Sequence, residues 1–123
     1  MAYQKGTNFE RDLIPWLEVL FPNVRRSGKG FPGADYIRTG PFSIEAKNRQ
    51  RMELGPWMTQ SMLDKENESK RYAVVIHKRR GFGAYGAYVT MALEEWVQLI
   101  ADLKGIEVPE GLTPLSEDDR PDW

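Results

Sequence analysis

The 123-residue chain contains no cysteine and one histidine. The missing cysteines exclude disulfides, zinc–thiolate sites and thiol nucleophiles. They also fit a reducing compartment, so the expectation is a cytoplasmic protein. A single histidine leaves HNH-type chemistry short of its residues. That residue, His77, ends an apolar run, where a lone histidine is usually structural. No stretch approaches the ~18 apolar residues of a membrane span. Residues 1–6 hold no apolar run of the kind a signal peptide needs. The net charge of −1 selects no partner by itself.

The distribution of charge says more. Residues 1–91 hold 15 Lys and Arg against 9 Asp and Glu, and residues 92–123 hold 2 against 9. Such asymmetry points to a basic body that meets a polyanion, followed by an acidic segment. The length suits one domain. The expected organisation is a domain over 1–105 and an acidic, proline-containing tail over 106–123, without internal repeats.

Asn8 is placed to cap a helix running to about Leu20, with Phe9, Leu13, Trp16, Leu17 and Leu20 at helical spacing. Pro15 should kink it. Val24, Arg25 and Arg26 read as a short strand. The loop Ser27-Gly28-Lys29-Gly30-Phe31-Pro32-Gly33 can bring backbone N–H groups close to a phosphate, although it lacks P-loop spacing. Ala34 to Arg38 and Phe42 to Lys47 read as paired strands around the turn Thr39-Gly40-Pro41. A second helix opens at Gly55-Pro56 and runs to about Glu68, with Leu54, Trp57, Met58 and Met62 as core candidates. Tyr72 to His77 reads as a central buried strand, and Tyr85 to Val89 as another. Thr90 is placed to cap a third helix that ends at Gly105.

The chemistry concentrates on Asp35, in Gly33-Ala34-Asp35, and on Glu45-Ala46-Lys47. Strand alternation puts Glu45 and Lys47 on one face. Alone, this is the pattern of any solvated strand, and a surface salt-bridge cluster would be worth little. With Asp35 at hairpin spacing, and Glu10 able to approach from the first helix, several carboxylates converge. Carboxylates held together repel unless a cation sits among them. Hard oxygen ligands select Mg²⁺ or Mn²⁺ over zinc. Such an ion activates water and stabilises charge on a phosphate, and Lys47 can orient the water or neutralise developing charge.

Glu10, Asp35 and Glu45-Ala46-Lys47, in this element order, resemble the PD-(D/E)xK nuclease superfamily with its restriction-endonuclease-like core. With Arg26 ending a strand before Ser27-Gly28-Lys29-Gly30, the finer resemblance is to Holliday junction resolvases of the archaeal and phage type. Ala34 departs from the proline that usually precedes the Asp. The resemblance covers roughly residues 6–77. It implies an α/β fold with a central mixed sheet of about five strands flanked by helices. It also implies a Mg²⁺-dependent endonuclease acting on branched double-stranded DNA as a homodimer, with Mn²⁺ able to substitute. Asp35, Glu45 and the backbone carbonyl of Ala46 would ligate the metal, joined by Glu10. Lys47 would serve the attacking water, and Gln60 resembles a helical glutamine of many relatives.

DNA contacts are expected from Arg25, Arg26, Ser27 and Lys29, from Arg49 and Arg51, and from Lys78, Arg79 and Arg80. The acidic end, finishing in Trp123, resembles the tips by which bacterial single-stranded-DNA-binding proteins recruit partners. Two rival readings stand beside the resolvase. One is another nuclease on the same core (restriction, nicking or RecB-like). The other is an inactive DNA-binding module.

Overall fold

The structure is a computed structural model that describes residues 2–28 and 33–112, with side chains for 8–28 and 33–111. Two compact units divide the chain, Met1–Met91 and Ala92–Trp123. The division falls where the sign of the charge reverses.

The first unit opens with α1, Ala2–Leu20. The helix begins well before Asn8, which therefore lies inside it and caps nothing. Phe9, Leu13 and Leu17, four residues apart, form its buried stripe. Trp16 and Leu20, expected on that stripe, are exposed at 57% and 70%. Pro15 lies inside the helix on an exposed position, and α1 continues through it as one element. The buried leucines on either side anchor the turn that lacks a backbone bond.

After α1 come β1 (Arg25–Arg26), β2 (Tyr36–Ile37), β3 (Phe42–Lys47), α2 (Leu54–Asn67), β4 (Tyr72–His77) and β5 (Tyr88–Thr90), with a 3-10 turn at Ala84–Gly86. The sheet is smaller than the five strands expected. A mixed three-stranded sheet has the order β3-β4-β5, with β3 parallel and β5 antiparallel to β4. A separate two-stranded sheet pairs β1 with β2, Arg25 opposite Ile37 and Arg26 opposite Tyr36. The expected hairpin between residues 34–38 and 42–47 is not a ladder. Arg38 (φ 62°) and Gly40 (φ 57°) leave the extended region, so β2 stops at Ile37. The segment still meets β3 through the Asp35 N–H, which donates to the Ile44 carbonyl at 3.1 Å, and through the Phe42 N–H, which donates to the Thr39 carbonyl at 3.1 Å.

β4 is buried along its whole length. Val74 and Ile76, with Ile44 of β3, pack in one core with Phe9, Leu13, Leu17, Val24 and Tyr36. Burying each large apolar side chain contributes about 1.5–3 kcal/mol. The opposite face of β3, carrying Ser43 and Glu45, is also buried. It lies against α2, whose buried residues are Trp57, Ser61 and Asp64. Ser43 Oγ donates to Glu68 at the end of that helix, at 2.8 Å. The polar side of β3 thus faces a helix instead of solvent.

In the second unit α3 spans Leu93–Lys104. Thr90 belongs to β5, and Ala92 stands at the helix start without a side-chain cap. Gly105 (φ 68°) ends α3 as its sequence position implies. Leu93, Trp96 and Leu103 of its apolar stripe are exposed. A 3-10 turn follows at Glu110–Leu112. The rest of the acidic tail lies outside the described residues. Among the described residues, no helix is long and apolar enough to cross a membrane.

Candidate active site

Asp35 is held by four hydrogen bonds in and around it. Its carbonyl accepts from the Ser27 N–H at 2.8 Å, and Ser27 Oγ donates to the neighbouring Ala34 carbonyl at 2.8 Å. Its own N–H reaches Ile44 of β3. Its Oδ2 accepts the Ala46 N–H at 2.8 Å. Ala46 is the middle residue of Glu45-Ala46-Lys47, so the Asp35 carboxylate docks on the backbone between the other two candidates. Ser27, expected to touch DNA, is part of this clamp.

Glu10 comes from α1. Tyr36, fully buried, donates its hydroxyl to the Glu10 carbonyl at 2.6 Å and ties the helix to β2. Burial, with the nearby charges of Glu10 and Asp35, raises the phenol's pKa and keeps it a donor. The Arg26 guanidinium lies 3.4 Å from Glu10 Oε2. The Glu10 carboxyl is pushed up to about 7, first by burial, then by the charge of Asp35 and a hydrogen bond with it, against the opposing pull of Arg26.

Glu45 is only 6% exposed. Its carboxyl is pushed up to about 10, first by burial, then by a hydrogen bond with Asp64 and the charges of Asp35 and Asp64, with Lys47 pulling the other way. At neutral pH Glu45 therefore keeps its proton and shares it with Asp64. Two carboxyl pairs result, Glu10 with Asp35 and Glu45 with Asp64, coupled through Asp35.

The sequence reading did not single out Asp64. Its signal was present: Trp57, Ser61 and Asp64 follow helical spacing, and an Asp on the buried stripe of a helix needs a partner. Gln60, expected in the site, is exposed and reaches it only through Asp64, donating from Nε2 to Oδ1 at 3.0 Å.

The remaining basic candidates fall into three groups. Arg25 and Arg26 lie on β1, both exposed. Arg49 and Arg51 follow β3, while Lys78, Arg79 and Arg80 follow β4. The last two groups become neighbours because β3 and β4 are parallel, and the Lys78 N–H donates to the Lys47 carbonyl at 2.9 Å. Lys29 lies outside the described residues.

Among the described residues, no three His, Asp or Glu side chains form a ready metal-binding group. The carboxyls meet in pairs. That arrangement still suits Mg²⁺, which is bound through one or two carboxylates together with waters and substrate phosphates instead of a full protein cage. Burial first, and then neighbouring carboxyls, raise Glu10 and Glu45, and a cation among them would offset the second effect.

No family model, curated protein or solved structure matches the chain. The functional reading therefore rests on the residues and their geometry.

Proposed function

We propose that the chain is a Mg²⁺-dependent endodeoxyribonuclease of the PD-(D/E)xK kind, with a restriction-endonuclease-like core, and that it resolves four-way DNA junctions as a homodimer. The observation that carries this reading is the 2.8 Å hydrogen bond from the Ala46 N–H to Asp35 Oδ2. It sets the Asp35 carboxylate beside Glu45 and Lys47, with Glu10 and Arg26 alongside. Surface ion pairing does not account for this cluster, because Glu45 is buried.

Asp35 and Glu45 would hold the ion, with Glu10 and the Ala46 carbonyl beside them. The ion would lower the pKa of a bound water and stabilise negative charge on a phosphate oxygen. To hold the ion as a carboxylate, Glu45 would pass the proton it shares to Asp64, which would then donate it back in a hydrogen bond that aligns Glu45. Lys47 directs positive charge at the attacked phosphate and orients the water. Arg26 steadies Glu10 and, exposed on β1, would meet the DNA backbone. Two symmetric cuts require two such sites, hence a two-fold dimer.

The inactive DNA-binding module is favoured by one observation, the pairwise meeting of the carboxyls. A synthetic four-way junction incubated with Mg²⁺, with cuts mapped on all four strands, separates the readings. Symmetric nicks near the branch point support the resolvase. Cleavage of linear duplex alone favours another nuclease, and no cleavage favours the binding module. Asp35→Asn and Lys47→Ala should each abolish cutting and spare junction binding; retained cleavage in either contradicts the assigned roles.

A further inference from the structure

A cavity of about 400 Å³ opens in the first unit at the carboxyl ends of β3 and β4. Its size is within the ~300–1,000 Å³ typical of small-molecule sites. Its place also fits, since ligands of α/β sheets bind beyond the carboxyl ends of parallel strands.

Five cations line it: Lys47, Arg49, Lys78, Arg79 and Arg80. No carboxylate does. The ion pairs Arg11–Asp12 and Arg26–Glu10 involve none of the five. Gathering like charges without a counter-charge is unfavourable, so the lining selects an anion.

The wall is aromatic. His77 stands between Trp57 and Tyr88, with ring centroids 5.9 Å and 5.5 Å apart. Tyr88 is 46% exposed. Arg79 is stacked 3.9 Å over Phe82 and lies 5.7 Å from the Tyr88 ring. His77 is 5% exposed, and its Nε2 lies 2.8 Å from Thr90 Oγ1. Its Nδ1 is buried without a partner, an unusual state for a polar atom. Burial lowers the His77 pKa and so favours the neutral ring, in which Nδ1 is either a donor or an acceptor.

A phosphate alone would satisfy the cations and leave the aromatic wall unused. We propose that this cavity binds a nucleoside monophosphate unit, with the phosphate among the basic side chains and the base against Tyr88. The unit can come from a free nucleotide or from an unpaired nucleotide of a DNA strand. Lys47 lines the cavity and also faces Glu45, so a strand entering it would place the bound unit beside the phosphate to be cut. That last placement rests on the nuclease reading; the ligand class does not.

The test uses the full chain with a chelator present, so that no cleavage intervenes. Thymidine monophosphate, inorganic phosphate, thymidine, a thymidine tetranucleotide and a blunt duplex are titrated while the Trp57 indole and His77 ring resonances are followed. Thymidine monophosphate should shift both resonances and bind at least about tenfold tighter than phosphate or thymidine, because it engages both the cations and the ring. Tyr88→Ala and Arg80→Ala should each weaken it about fivefold or more, with unchanged circular dichroism. Tighter binding of the tetranucleotide identifies a strand as the source, and equal or weaker binding identifies the free nucleotide.

Equal binding of phosphate and nucleotide overturns the proposal, as do shifts that spare Trp57 and His77. Lost binding with junction cleavage intact removes this inference alone. Binding without cleavage under Mg²⁺ removes the nuclease reading alone.

Discussion

Glu45→Gln should make the metal-free protein more stable while abolishing cleavage. An unfolded Glu titrates near 4.5, and folded Glu45 near 10. Folding at pH 7 therefore takes up a proton. Each pH unit above 4.5 costs about 1.4 kcal/mol, so the total approaches roughly 3 kcal/mol. The sign follows from the raised folded pKa. The contribution of this carboxyl to stability is complete below about pH 4.5, falls as pH rises, and continues to fall toward pH 10. Glutamine has the same shape, does not titrate and keeps an N–H to donate to Asp64. After allowing for imperfect hydrogen-bond geometry, the gain at pH 7 should be about 1–3 kcal/mol, or a melting temperature higher by roughly 3–10 °C. Thermal melts by circular dichroism, in chelator between about pH 5 and 8, measure it. The wild type should lose stability as pH rises, and the variant should lose less. Added Mg²⁺ should raise the melting temperature of the wild type only. A variant less stable than wild type at pH 7, or identical pH profiles, would refute the assignment of a protonated, desolvated Glu45.

Gly33→Ala should damage activity more than stability suggests. Gly33 has φ 135°, and an added Cβ would lie 3.0 Å from Glu68 Oε2, so about 1–3 kcal/mol of strain falls on the segment that carries Asp35; urea unfolding and junction cleavage together measure both effects. Asp64→Ala should reduce apparent Mg²⁺ affinity in cleavage assays by about 10–100-fold, because Asp64 orients Glu45 instead of contacting substrate; unchanged Mg²⁺ dependence would remove it from the site. Leu13→Ala, at 3% exposure in the α1 core, should cost about 2–5 kcal/mol in urea unfolding.

Part of this architecture was legible from local pattern. The apolar run Tyr72 to His77 specified a central buried strand because nothing polar interrupts it. Phe9, Leu13 and Leu17 specified the buried face of α1, and Gly105 its stop signal for α3, through helical period and the left-handed cap. The short turn at residues 39–41 keeps Asp35 near Glu45-Ala46-Lys47, although the strand pairing expected across it does not form. Trp16 and Leu20 misled, since helical spacing defines a stripe but not its width.

Local pattern was enough for the set of chemical groups, the order of the elements and the concentration of basic residues before residue 92. Tertiary structure alone decided how β3 is used. Two-residue alternation makes Ser43 and Glu45 look solvated, but the crossover through α2 lays that helix over their face. There Asp64, 19 positions away from Glu45, becomes its hydrogen-bond partner. Parallel pairing of β3 and β4 likewise gathers Lys47, Arg49 and the Lys78-Arg79-Arg80 loop at one cavity. Both outcomes depend on contacts between residues distant in the chain, which local periodicity does not encode.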